Sequence, residues 1–153
     1  MTYCVGLYLK DGLVMASDTR TNAGVDNISV FSKMHIVEVP DERFMVLLTS
    51  GNLASSQAVV NLLHEGIEGD DGAETLYTVP SMFRAAQLAG EAIRRVYKSD
   101  GGALQAQNIT FDVSLLLGGQ IKNRGMRLFQ IYSAGNFIEA PIISIRSVVT
   151  FNM

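Results

Sequence analysis

Short apolar runs, broken by Gly, Asp and Pro, occupy the first fifty residues of the chain. Residues 3–9 (Tyr-Cys-Val-Gly-Leu-Tyr-Leu) read as a mostly apolar strand. Lys10-Asp11-Gly12 is a turn, with Asp-Gly the hairpin signal. Residues 13–17 form the returning strand, which ends at Asp18. The stretch 19–32 is polar, contains Asn22, Gly24 and Asn27, and reads as a loop. Residues 33–39 and 43–50 form a second hairpin around Pro40-Asp41.

The period then lengthens. Leu53, Val60, Leu63 and Ile67 fall at helical spacing over 52–67, with Ser50 or Asn52 as N-cap. The acidic, glycine-rich stretch 65–75 reads as a solvated connection. A second helix is predicted over 80–98, with Phe83, Ala86, Gly90, Ile93 and Tyr97 on one stripe. Pro80 sits near its first turn, and Ser99-Asp-Gly-Gly102 ends it. Strands over 109–117, 127–132 and 137–140 follow, separated by glycine-rich turns. Strands segregated from helices predict an α+β layered sandwich rather than alternating βαβ units.

Composition narrows the function classes. A chain of 153 residues, 48% apolar, suits one domain with its own core. Its net charge of -3 and scattered Lys and Arg argue against a nucleic-acid partner, which requires a basic face. No run reaches the roughly 18 apolar residues of a membrane span, and no secretion signal opens the chain. Cys4 is the only cysteine, which excludes an internal disulfide, points to a reducing cytoplasm and suits a small core residue. His35 and His64 have no companions at ligand or triad spacing and read as a strand and a helix-surface histidine. No metal cluster, phosphate-binding glycine loop or thiol catalyst is visible, so no cofactor or metal is expected.

The candidate chemistry begins at Thr2, directly behind Met1 and in front of the first strand. Removal of Met1 leaves a threonine with a free α-amine and a hydroxyl, a nucleophile that carries its own base. Asp18 and Lys33 stand at the ends of two further strand-like runs, and Ser50-Gly51 at a strand-to-helix turn. Each alone is weak. Thr2 is otherwise an ordinary trimmed terminus, Asp18 a loop cap, Lys33 a solvated lysine and Ser50-Gly51-Asn52 a helix N-cap.

The ordered set is specific. Thr2, Ser-Asp-Thr-Arg-Thr-Asn-Ala-Gly (17–24), Lys33 and Ser50-Gly51 together resemble a proteasome β-type subunit. The stretches 12–18, 22–28 and 135–140 are most similar to the bacterial Anbu (ancestral β-subunit) branch, in which threonine follows the initiator methionine. The resemblance covers residues 1 to about 140. It implies the N-terminal nucleophile hydrolase fold, two antiparallel sheets between helix layers (αββα), and a homo-oligomer, either a ring or an open helical assembly. It also implies roles: Thr2 as nucleophile of a threonine-type endopeptidase, Lys33 as a cation beside it, Asp18 as the partner of Lys33, and the Gly51 N–H as oxyanion donor. Ser133 is an assisting serine in the same scheme. Arg20, Thr21 and Gly24 line the loop that pairs with an extended peptide or unfolded-protein substrate.

The chain therefore divides into a partial family domain, 1–140, and a tail, 141–153, that does not resemble the family's continuation. Family members run on into further strands and two more helices, so the sandwich is expected to be incomplete on its C-terminal side. One sheet then keeps an apolar face in water. Two other readings remain open at this point: a non-catalytic assembly subunit, and an N-terminal nucleophile amidase acting on small amides.

Overall fold

A computed structural model describes residues 2–22, 28–69 and 72–147 of the chain. The strands are β1 (Thr2–Leu9), β2 (Gly12–Ser17), β3 (Arg20–Asn22), β4 (Ile28–Val30), β5 (Met34–Val39) and β6 (Arg43–Gly51). Helix α1 (Leu53–Glu65), β7 (Ile67–Gly69), β8 (Gly72–Glu74) and α2 (Met82–Ala106) follow. The series closes with β9 (Val113–Ile121), β10 (Arg127–Ile131), β11 (Phe137–Glu139) and β12 (Ile142–Ser147). A three-stranded sheet, β12-β1-β2, faces a five-stranded sheet, β11-β10-β9-β6-β5, and all their pairings are antiparallel.

The apolar runs of β6 and β9 have a simple cause: around Leu47–Leu48 and Leu115–Leu117 both faces of the large sheet are covered. Met45, Leu47, Leu115 and Leu117 join the helix-side core with Val59, Val60 and Leu63 of α1 and Leu88, Ala89 and Ile93 of α2. The alternate residues Leu48 and Leu116 pack between the sheets with Cys4 and Leu128. Each such leucine, fully buried, contributes roughly 1.5–3 kcal/mol. Cys4 is buried as expected, and its Sγ donates to the Thr49 carbonyl at 3.6 Å.

Several boundaries differ from the sequence reading. Helix α2 runs through Gly101 and Gly102 to Ala106, about two turns beyond the predicted stop. Gly101 lies against the Tyr97 ring, where a Cβ would press within 2.9 Å of the ring carbons. The helix stops instead at Asn108, whose φ of 56° is left-handed. There Asn108 N–H donates to the Gln105 carbonyl and Ile109 N–H to the Leu104 carbonyl, the paired bonds of a Schellman cap. That cap delays β9, which starts at Val113 rather than 109. The N-cap of α2 is Ser81, so Pro80 falls just outside the helix. Phe83 and Tyr97 lie at the margin of the stripe, exposed, with edge-on contacts to Phe137 and Phe111.

The stretches read as loop and connection contain the short hairpins β3-β4 and β7-β8. Strands of three residues are too short for their alternation to stand out from the polar stretches around them. Strand β12 was likewise not anticipated; it pairs with β1 from Thr2↔Ser147 to Leu7↔Ile142. The expected wet face is present. Tyr3, Leu9, Val14 and Ile142 are exposed on the three-stranded sheet, Ile142 to 70%, and both helices lie on the other sheet.

Candidate active site

The site forms where the start of β1 meets the ends of β2 and β6. Asp18 follows β2 directly and is clamped to β1 by two bonds. Its N–H donates to the Tyr3 carbonyl at 3.1 Å, and its Oδ1 accepts from Tyr3 N–H at 2.9 Å. Its other oxygen, Oδ2, accepts from Lys33 Nζ at 2.9 Å. Lys33 is almost fully buried and also donates from Nζ to Thr2 Oγ1 at 3.0 Å. The lysine thus bridges carboxylate and hydroxyl. Its backbone is fixed as well, because the Lys33 carbonyl accepts from Thr49 N–H of β6 at 2.9 Å.

The electrostatics follow from this bridge. Burial pushes the Asp18 carboxyl upward, but the Lys33 and Tyr3 hydrogen bonds and the Lys33 charge outweigh it, so it lies below the ordinary 3.8. Asp18 stays ionised and balances the buried ammonium. Cys4, beneath the same cluster, moves the other way. Burial and the Asp18 charge, opposed by Lys33, push its thiol up to about 11. It remains a protonated thiol at neutral pH and is no nucleophile.

Two residues beyond Thr49, Gly51 ends β6 with a φ of 109°, opposite Val113 of β9. Only glycine is comfortable there, since a Cβ would also overlap the Asp112 carbonyl. Asn52 N-caps α1, accepting from Ser55 N–H at 3.1 Å, while its own N–H donates to the Asp112 carbonyl at 2.7 Å. The strand-to-helix turn is therefore held by the Asn52 cap and by Asp112, the residue before β9. Asp112 was not singled out by the sequence reading, because its backbone rather than its side chain makes this bond.

Of the predicted residues, Thr2, Asp18 and Lys33 are in direct hydrogen-bond contact, and Gly51 follows on the strand that Lys33 anchors. Ser133 is placed differently. Its hydroxyl accepts from Val113 N–H at 3.1 Å and donates to the Val113 carbonyl at 2.9 Å, so its proton is committed to β9. Arg20 and Thr21 lie on β3, opposite Val30 and Ser29 of β4. Gly24 lies outside the described residues. Among the described residues, no group of three or more His, Cys, Asp or Glu is arranged to hold a metal ion. His64 instead meets the Tyr77 hydroxyl at 3.1 Å.

A strand-borne threonine, hydrogen-bonded to a buried lysine and set on stacked antiparallel sheets with a helix layer, is the arrangement expected of the N-terminal nucleophile hydrolase fold. A family model for the proteasome subunit matches residues 2–148, and the chain belongs to that family. Solved structures agree. An Anbu mutant from Hyphomicrobium sp. strain MC1 is 46% identical with a TM-score of 0.82, covering 97% of this chain and 62% of its own. Anbu (ancestral beta-subunit) from Yersinia bercovieri is 47% identical with a TM-score of 0.82, covering 94% and 60%. The Anbu complex from Pseudomonas aeruginosa, solved as a helical assembly, is 44% identical with a TM-score of 0.85, covering 94% and 60%. The chain thus spans about 60% of the length of these structures. No match was found among curated proteins.

Proposed function

We propose that the chain is a threonine-type peptidase subunit of the Anbu branch, cleaving peptide bonds with Thr2 once Met1 is removed. The observation that carries this reading is the Lys33 ammonium, hydrogen-bonded at once to Thr2 Oγ1 and Asp18 Oδ2. Because Lys33 is the donor, the Thr2 hydroxyl keeps its own proton for a base. The freed α-amine, with an ordinary pKa of ~7.7–8.0, supplies that base near neutral pH. Lys33 beside it favours the neutral amine and the developing alkoxide.

In the acylation step Thr2 Oγ bonds to the substrate carbonyl carbon and its proton passes to the α-amine. The resulting oxyanion is received by the Gly51 N–H. Collapse breaks the scissile C–N bond, and the α-ammonium returns the proton to the leaving amine. Water, deprotonated by the same amine, then releases the acyl group. The substrate is an unfolded or peptide chain lying as an added strand beside Arg20 and Thr21. The helical assembly of the Pseudomonas aeruginosa relative supports a homo-oligomer for this chain, and a single cysteine, with no second one to form a disulfide, fits a cytoplasmic location.

Intact-protein mass spectrometry with an epoxyketone or β-lactone probe tests the proposal. Loss of Met1 and a single adduct are expected, with no adduct on Thr2→Ala and labelling slowed ~10²-fold or more on Lys33→Ala. Retained Met1, or a free Thr2 that takes no adduct, would favour the non-catalytic assembly subunit.

A further inference from the structure

The Ser133 hydroxyl does something specific to the edge of the proposed oxyanion site. Strand β10 ends its ladder with β9 at Ile131↔Leu115, two residues short of Val113. The Val113 backbone has the Gly51 side of the ladder filled by β6, since Val113 is Gly51's register partner. On its other side Ser133 Oγ accepts from the Val113 N–H and donates to the Val113 carbonyl, as a strand backbone would. One hydroxyl thus extends the β10 ladder past its end.

The turn that carries Ser133 is itself fixed. Gly135 N–H donates to the Tyr132 carbonyl and Tyr132 N–H to the Asn136 carbonyl, each at 2.8 Å. Arg94 of α2 donates to the Gly135 carbonyl at 3.1 Å, and the Gly90 backbone lies directly against it. On the far side of Val113, the Asp112 carbonyl accepts from Asn52 N–H and packs against the Gly51 backbone. A continuous brace runs from α2 through the 132–136 turn and Ser133 to the Asp112–Val113 backbone and the Gly51–Asn52 turn.

We infer that Ser133 is a positioning residue: by bonding both backbone groups of Val113, it sets the Gly51 N–H where the oxyanion forms. This rests on the peptidase reading for its kinetic consequence, and replaces direct assistance to the Thr2 proton. A donor displaced by about an ångström loses on the order of 10²-fold in rate, so a partly released brace should lose roughly ten- to a hundredfold. The loss belongs in kcat, because the oxyanion exists only beyond the ground state.

The test compares full-chain wild type with Ser133→Ala and Ser133→Thr. Three readouts are needed: peptide hydrolysis, the pH dependence of probe labelling, and amide exchange at Asn52 and Val113. Ser133→Ala should lower kcat by roughly ten- to a hundredfold with KM nearly unchanged. Its labelling midpoint on the pH axis should stay in place, because the α-amine base is untouched. Asn52 and Val113 amides should exchange faster, and Ser133→Thr, which keeps the hydroxyl, should restore both rate and protection. A shifted pH midpoint would overturn the inference in favour of a direct proton-transfer role, and wild-type rate and exchange in Ser133→Ala would overturn it outright. If wild type itself takes no probe, the peptidase reading fails. Amide exchange then decides the brace alone, and unchanged protection in Ser133→Ala would refute it.

Discussion

Lys33 shows how one residue joins chemistry to architecture: its side chain holds Thr2 and Asp18, and its carbonyl holds Thr49. That contact was legible through the family resemblance, which the order of these residues along the chain carries. The partner of Ser133 was not, because a hydroxyl bonded to a strand's backbone leaves no trace in spacing. His35 gives a prediction at this scale. Burial, and then the charge of His64, hold its pKa below the ordinary 6.5. The folded chain therefore binds this proton less readily than the unfolded chain, and stability present above pH 6.5 is lost as pH falls toward the lowered value. His35→Gln should remove that loss. Thermal midpoints measured from pH ~7.5 to ~5.5 should fall less in His35→Gln than in wild type, and parallel curves would contradict the assignment.

At the scale of elements, local signals served best where they were backbone-specific. Asn52 caps α1 as its residue type suggests, and the Asp-Gly turn joins β1 to β2. The end of α2 was misread because Gly101-Gly102 looks like a stop. A glycine inside a helix costs only about 1 kcal/mol, and the packed apolar face of α2 outweighs that. The two glycines should therefore respond differently. Gly102 has no atom within 4 Å of an added Cβ, so Gly102→Ala should stabilise the chain by about 0.5–1 kcal/mol. Gly101→Ala must displace the Tyr97 ring and should gain less or lose stability. Urea denaturation of both variants checks this, and equal gains would mean the Tyr97 contact is slack.

For the whole molecule, the α+β class followed from segregated strands and helices and the two-sheet arrangement from the family resemblance, whereas the pairing of β12 with β1 followed from neither, since pairing partners are set by distant chain. The exposed apolar side chains of the β12-β1-β2 sheet have a measurable effect. Tyr3, Leu9, Val14 and Ile142 present apolar area to water, and such patches drive association. Light scattering should rise with concentration for wild type and rise less for Val14→Glu, whose side chain points outward on β2. Equal scattering would place the adhesive surface elsewhere.

The contact of Gly90 with Gly135 has a meaning for anyone reading tolerance to substitution in this chain. A Cβ on either residue would run into the backbone of the other, and neither can shrink to make room. Enlarging one cannot be offset by trimming its neighbour, the usual route by which packed pairs drift. In a saturation library both positions would look as strict as Thr2, although no substrate need ever touch them. Intolerance here records a joint without slack, and it should not be mistaken for a second centre of chemistry.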